Sequence, residues 1–110
     1  MADIYELQLS LDLPESLPAD DLALLRWHLG EGETEGQGGD DAYPLLADRG
    51  AAARIGGVLV GELCRGARGW ALTVRQEVHP DEFDDLRSLV GRLGALTSSI
   101  GVIGHLRFYL

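Results

Sequence analysis

The chain has 110 residues, with 18 acidic side chains against 9 arginines and a formal net charge of −9. This length fits one domain spanning residues 1–110, and a hydrophobic content of 45% excludes a disordered chain. The single cysteine excludes an internal disulfide, and no apolar run is long enough to cross a membrane. The negative charge argues against binding to a nucleic-acid backbone. With no signal region visible at residues 1–3, we expect a soluble, cytoplasmic domain.

The acidic residues are concentrated in the first half of the chain. Residues 1–50 hold 12 acids and 2 arginines, whereas residues 51–110 hold 6 acids and 7 arginines. The densest acidic stretch is rich in glycine and lies at about residues 30–42. Repulsion between its carboxylates and the entropy of its glycines both oppose folding, so we predict a mobile surface loop. The same glutamates would repel a phosphate, which argues against a phosphate-binding glycine loop.

Two secondary-structure elements are predicted before this loop. Residues 4–13 alternate between apolar and polar side chains, which indicates a strand with one buried face. Residues 19–29 place leucines at helical spacing and two aspartates in the first turn, where they complement the helix dipole. This pattern predicts a short helix that ends at Gly30.

A hairpin is predicted after the loop. A second strand is expected from about residue 53 to residue 64, although its apolar residues fall on both faces. The glycines of residues 65–69 favour a tight turn, because glycine accepts positive φ. Residues 70–78 alternate again and predict a third strand.

The last third of the chain predicts a helix followed by a strand. An apolar stripe from Phe83 to Leu96 indicates the helix, with His79 as its capping position and Asp81 and Asp84 at capping-box spacing. Residues 102–110 alternate and predict the fourth strand. The predicted core is drawn from all of these elements and comprises Leu7, Leu9, Leu72, Val74, Phe83, Leu86, Leu93, Leu106 and Phe108.

The order β-α-β-β-α-β predicts an α+β fold. With right-handed connections, it resembles the ferredoxin-like split βαβ architecture, in which two helices cover one face of a four-stranded antiparallel sheet. This architecture hosts many unrelated functions, so it does not by itself indicate an activity.

No residue pattern gives positive evidence for catalysis. Arg65 would favour a thiolate at Cys64, but a cysteine next to a hairpin is more often a packing residue. The acids that follow His79 lack the spacing of a metal site and are explained by their place at a helix start. His28, at the end of the first helix, is interpreted as structural, with a cationic imidazole suiting the dipole. The sequence implies no cofactor.

The sheet face opposite the helices is the predicted contact surface. It combines apolar side chains with charges of both signs, which suits self-association around a two-fold axis. Arg75 and Arg107 are expected to pair across that axis with acids such as Glu6. The candidate contact residues are Val58, Val60, Arg75, Ile103, His105, Arg107 and Tyr109.

The leading hypothesis is a non-catalytic protein-interaction module that binds a second copy of itself or another protein. The alternative is a small-ligand-binding protein or enzyme that uses the same face as a cleft. In that case His105, Arg75 and Arg107 would supply its polar groups.

Overall fold

A computed structural model describes residues 3–31 and 44–109. Of the predicted mobile loop at residues 30–42, only Gly30 and Glu31 belong to these ranges, and the rest lies outside the described residues. A 3-10 turn at Pro80–Glu82 leads into the second helix. The elements are β1 (Ile4–Pro14), α1 (Ala19–His28), β2 (Gly50–Ala51), β3 (Val58–Gly66), β4 (Gly69–Val78), α2 (Phe83–Leu96) and β5 (Gly104–Tyr109).

The strands form one antiparallel sheet in the order β2-β3-β4-β1-β5. The predicted α+β class is therefore confirmed. The prediction of four strands is wrong by one, because the two-residue β2 adds to the edge beside β3. The second strand also begins later than residue 53. Gly56 and Gly57 have φ values of +75° and +69°, a conformation that breaks the strand until Val58.

The main core lies between the sheet and the two helices. The odd-numbered leucines of β1 face the helices together with alternate residues of β4, as the register between the two strands requires. Burying each such side chain contributes about 1.5–3 kcal/mol relative to leaving it exposed. The buried residues of this cluster include Leu7, Leu9, Leu11, Leu13, Leu25, Leu72, Val74, Leu86, Leu89 and Leu93.

The predicted core is wrong at the last strand. Leu106 and Phe108 are 41% and 44% exposed, although both point to the helix side of the sheet. β5 is the outermost strand of the described sheet, and a groove of about 250 Å³ lies between it and α2, so these two side chains are covered only in part. Phe83, also predicted to be core, is half-buried.

Local signals set the ends of several elements. The hairpin turn forms where the glycines predict it, with Gly66 paired to Gly69. At the start of the second helix, the backbone N–H of His79 donates to Glu82 Oε1 at 3.0 Å. The capping carboxylate is therefore Glu82, three residues after His79, and not Asp84.

Candidate functional site

A buried carboxylate lies on the sheet face opposite the helices, which we call the open face. Antiparallel pairing places Glu6 of β1 beside Arg107 of β5, while Arg75 of β4 is paired with Gln8. Glu6 Oε2 accepts hydrogen bonds from Arg75 Nε at 2.7 Å and from Gln8 Nε2 at 2.9 Å. Glu6 Oε1 accepts a third from Arg107 Nη2 at 2.7 Å. Three side chains therefore satisfy a carboxylate that is only 2% exposed.

This network favours the ionised form of Glu6 and engages both arginines in ion pairs with it. The hydrogen bond from Gln8, together with the hydrogen bond and charge of Arg75 and the charge of Arg107, lowers the pKa of Glu6 despite its burial. The arginines that were expected to pair across a two-fold axis are thus paired with Glu6 of their own chain. They stabilise the open face and do not present free charges to a second copy.

A loop of the same chain, residues 53–57, is held against one end of the open face. Glu77 accepts three backbone hydrogen bonds from the start of this loop, at 2.6–3.1 Å. Burial would raise the pKa of Glu77, but these three donors lower it below its ordinary value. Arg75 Nη1 donates to the carbonyl oxygens of Gly56 and Val58, at 2.8 and 3.1 Å. This end of the face is therefore occupied by the protein itself.

Beside the network, the open face has a depression of about 450 Å³. Four of the predicted contact residues line it, namely Val60, Arg75, Ile103 and His105. Val58 is 59% exposed but lies outside this depression. Tyr109 pairs with Ile4 in the register of β5, and its side chain is outside the described part of the structure. The further lining residues include Gln8, Ser10, Thr73 and Val102.

The connection from α2 to β5 presents apolar side chains to solvent. Its two ends are fixed to β1: Ser99 Oγ accepts a backbone N–H of that strand at 2.8 Å, and the carbonyl oxygen of Ile103 accepts another at 2.8 Å. Between these anchors, Ile100 is 99% exposed and Val102 is 89% exposed. The connection is thus tied down on both sides of two apolar residues that contribute little to the core of their own chain.

These residues continue an apolar surface along β5. Among the described residues, five large hydrophobic side chains are exposed, and all but Val58 lie between residues 100 and 108, on the connection before β5 and on β5 itself. We refer to the four as the apolar edge, which consists of Ile100, Val102, Leu106 and Phe108. A groove of about 250 Å³ between β5 and α2 adjoins it, lined mainly by apolar side chains that include Phe83, Val90, Ile103 and Leu106.

The apolar edge also lies in a part of the chain without acidic residues. Residues 86–110 contain three arginines and neither aspartate nor glutamate, although the whole chain carries a net charge of −9. The Tyr5 ring contacts two other rings near this surface: its centroid lies 5.1 Å from that of Phe108 on β5 and 4.9 Å from that of Phe83 on α2. A molecule that approaches this surface therefore meets apolar and basic groups of that segment.

A buried histidine, His28, holds the backbone of residues 45 and 46. His28 Nδ1 accepts the backbone N–H of Leu45 at 3.3 Å, and its carbonyl oxygen accepts that of Leu46 at 2.9 Å. Burial lowers the pKa of His28, and the charge of Asp85 only partly opposes this effect. The imidazole is therefore neutral, because Nδ1 acts as an acceptor. The role is structural, but the expected cationic form is not what this geometry holds.

Two further polar residues were not recognised in the sequence. Gln76, which is 1% exposed, exchanges two hydrogen bonds with the backbone of Asp48, at 2.9 and 3.1 Å, and donates to a carbonyl oxygen of β3 at 3.1 Å. Arg49 donates to the carbonyl oxygens of Leu46 and Leu29 at 2.8 and 3.0 Å. The available signal was Gln76 itself, because it interrupts the apolar residues on the buried side of β4.

The chemistry of the described residues is limited. Within residues 3–31 and 44–109, no group of three His, Cys, Asp or Glu side chains could hold a metal ion. None of the helices there has the length and apolar character needed to span a membrane. Cys64 is an exposed free thiol. Comparisons with protein-family models, with curated proteins and with solved structures find no match to this chain.

Proposed function

We propose that this protein is a non-catalytic interaction module that forms a homodimer, with the apolar edge as its contact surface. The observation that carries the proposal is the concentration of exposed large hydrophobic side chains on one anchored segment. Apolar surface of this kind, grouped instead of scattered, is typical of protein contact sites. The absence of acids from residues 86–110 removes the local repulsion that an acidic chain would otherwise oppose to a second copy.

The open face supports this role less well than the apolar edge does. Its central charges are already paired within the chain, through Glu6, Arg75 and Arg107. Withdrawing either arginine to make contacts elsewhere would leave the buried Glu6 carboxylate without one of its charged partners, which is unfavourable. The apolar edge has no such cost, and each aliphatic side chain that becomes fully buried contributes about 1.5–3 kcal/mol. Four side chains from each copy can offset the entropy of association and give a micromolar dimer.

We also propose that the fold is of the ferredoxin-like type. Without the short β2, the strand order β3-β4-β1-β5 places one strand between the two that each helix connects. This is the ferredoxin-like split βαβ arrangement. We also propose a cytoplasmic location, which the exposed free thiol of Cys64 favours because such thiols persist in reducing compartments.

Sedimentation velocity of the purified chain tests the proposed homodimer. We expect a monomer near 1 micromolar and a dimer well before about 200 micromolar, concentrations that bracket a micromolar Kd. A double variant, Ile100→Asp with Val102→Asp, should fold, because both side chains are almost fully exposed in the single chain. It should stay monomeric, because it places two charges in the proposed contact surface.

The matched control is Val60→Glu, which adds a charge to the open face and should leave the dimer intact. A wild-type chain that remains monomeric throughout the concentration range would contradict the proposal. A dimer abolished by Val60→Glu alone would move the contact surface to the open face.

Binding of a small ligand in the depression of the open face is the second candidate function. The observation that favours it is the meeting of His105 and Thr73 with apolar side chains in one concave site, next to the Arg75 that is paired with Glu6. Benzoate, a small aromatic carboxylate, is a suitable probe for a site of apolar and basic groups. Saturable NMR shifts at Thr73 and His105 are expected if the site binds such molecules, and Thr73→Glu should abolish them. Unchanged spectra at about 10 millimolar benzoate, a concentration above any specific Kd of interest, would reject this candidate.

A further inference from the structure

We propose that the dimer forms by antiparallel pairing of β5 with β5 of a second copy, which joins the two sheets into one. This inference rests on the proposed homodimer and specifies how its two copies meet. The two-fold axis passes beside Leu106.

The free edge of β5 carries backbone groups that no described strand uses. The carbonyl oxygen of Ile103 accepts the N–H of Ser10, so Ile103 points its backbone groups toward β1. In an antiparallel ladder this direction alternates along the strand, and the register pairs His105 and Arg107 with β1 in the same way. The N–H and C=O groups of Gly104, Leu106 and Phe108 therefore point outward. β5 is the last of the described strands in the sheet order, so none of these strands pairs with its outward groups.

An axis beside Leu106 uses all three outward residues of β5. It places Leu106 opposite its own copy and Phe108 opposite Gly104 of the second copy, which gives about six inter-strand hydrogen bonds. Centring the axis elsewhere on β5 would leave one of the three residues outside the paired region of the strand. The contact is isologous, as a two-fold axis requires.

The side chains fit this register. Pairing with Leu7 and Tyr5 of β1 puts the side chains of Leu106 and Phe108 on the helix side of the sheet. Gly104 lines the groove between β5 and α2, whose volume of about 250 Å³ exceeds that of a phenyl ring. Phe108 of the second copy lies opposite Gly104. The Leu9 side chain of β1 already occupies the place that a Cβ of Gly104 would take, so the incoming ring packs over Leu9 at the mouth of this groove. A Phe108 that is 44% exposed in the single chain becomes buried.

β5 also lacks the features that keep sheet edges apart. Proteins protect such edges with lysine, proline, bulges or inward charges. β5 contains none of these residues, and its one arginine, Arg107, is bound to Glu6 on the open face. The net charge of −9 does not prevent approach, because salt screens charges beyond about 8 Å at physiological ionic strength.

Amide hydrogen exchange of the full chain, resolved to single residues, tests the pairing. Exchange is carried out at about 1 and about 300 micromolar, on either side of a micromolar Kd. We expect the amides of Gly104, Leu106 and Phe108 to exchange at least tenfold more slowly at the higher concentration. The amides of His105 and Arg107, which bond to β1, should be slow at both concentrations. Alternation along one strand is a signature that burial by a side-chain contact alone would not give.

A backbone variant completes the test. Leu106→Pro removes the central outward N–H and leaves every bond between β5 and β1, and proline is tolerated on sheet edges. We expect a monomer in which His105 and Arg107 remain protected; if the variant does not fold, Phe108→Ser is measured instead, with the same expectation. A sedimenting dimer whose three outward amides exchange equally at both concentrations would overturn the pairing and leave the proposed function standing. A chain that is monomeric at both concentrations would overturn both.

Discussion

The two edges of the sheet are built in different ways. At one edge, β2 pairs with β3, and the segment before β2 lies over the helix side of β3 so closely that a Cβ added to Gly61 would lie 2.5 Å from the carbonyl oxygen of Leu46. Gln76 and His28 hold the backbone of that segment by hydrogen bonds, and its own Arg49 donates to the carbonyl oxygen of Leu29. At the other edge, β5 pairs with β1 and with no other strand among residues 3–31 and 44–109, and it exposes apolar side chains. We call these the covered edge and the free edge.

We infer that the covered edge contributes to the stability of the single chain and the free edge to its association with a second copy. Polar side chains at the covered edge satisfy buried backbone groups, so a change there is expected to unfold the chain without involving a second copy. Apolar side chains at the free edge are exposed or only partly buried in the single chain, so a change there is expected to act mainly on the dimer. Each of the following predictions tests one side of this comparison.

The largest expected effect is at the covered edge. Gln76→Leu retains a similar volume but leaves the N–H and C=O of Asp48 and one carbonyl oxygen of β3 without their partner. We expect the free energy of unfolding to fall by at least about 3 kcal/mol, because three groups lose their partner and each unsatisfied buried group costs about 1–3 kcal/mol. Urea denaturation at low protein concentration measures the loss. The matched variant at the free edge, Leu106→Gln, should cost less than about 1 kcal/mol, the usual range for an exposed position. Equal losses in the two variants would remove the distinction.

A smaller effect is expected from pH, and it too belongs to the covered edge. The pKa of His28 in the folded chain lies below its ordinary value of 6.5, so the unfolded chain binds the proton first as the pH falls. Stability is therefore full above pH 6.5 and decreases as the pH is lowered from there. Glu6 and Glu77 have pKa values below 4.5, so their contribution is present above that value and is lost only below it.

The pH interval from 7 to 5 thus reports on His28. In the variant His28→Asn, the side-chain oxygen replaces Nδ1 as the acceptor for Leu45 and does not titrate. We expect urea denaturation to show a decrease in wild-type stability over this interval and a flatter dependence in His28→Asn. Identical slopes in the two proteins would show that another group is responsible.

The smallest effect is expected for a control substitution on α2, away from both edges. Gly91 lies on the exposed side of α2, and a Cβ at this position would meet nothing within 4 Å. Gly91→Ala should stabilise the chain by about 0.5–1 kcal/mol through helix propensity, which raises Tm by a few degrees. The Kd of the dimer should not change, since the residue lies outside the apolar edge. A lower Tm would reveal a neighbour that needs the space.

The sequence predicts the parts of this fold that depend on local periodicity. The alternation of residues 4–13 and 70–78 and the helical spacing after Phe83 are confirmed as β1, β4 and α2. Periodicity indicates which side of a strand faces the helices, but not how far the helix layer extends. For this reason Leu106 and Phe108 were predicted to be buried.

The polar residues of the site were harder to predict for a different reason. Glu6 stands at a position that alternation assigns to solvent, and its partners Arg75 and Arg107 lie 69 and 101 residues away in the chain. Only the strand register brings these three side chains together. The position of the free edge also follows from strand order, which a single sequence specifies weakly.

The most direct test compares the same substitution at the two edges. Leu106 and Val58 are both exposed and apolar, at 41% and 59%, and lie on β5 and on β3 beside β2. Sedimentation equilibrium of wild type, Leu106→Lys and Val58→Lys gives the three dimer Kd values. We predict that Leu106→Lys raises Kd by more than about tenfold, or about 1.4 kcal/mol, and that Val58→Lys changes it by less than about threefold. A Kd that rises as much in Val58→Lys as in Leu106→Lys would contradict the assignment of association to the free edge.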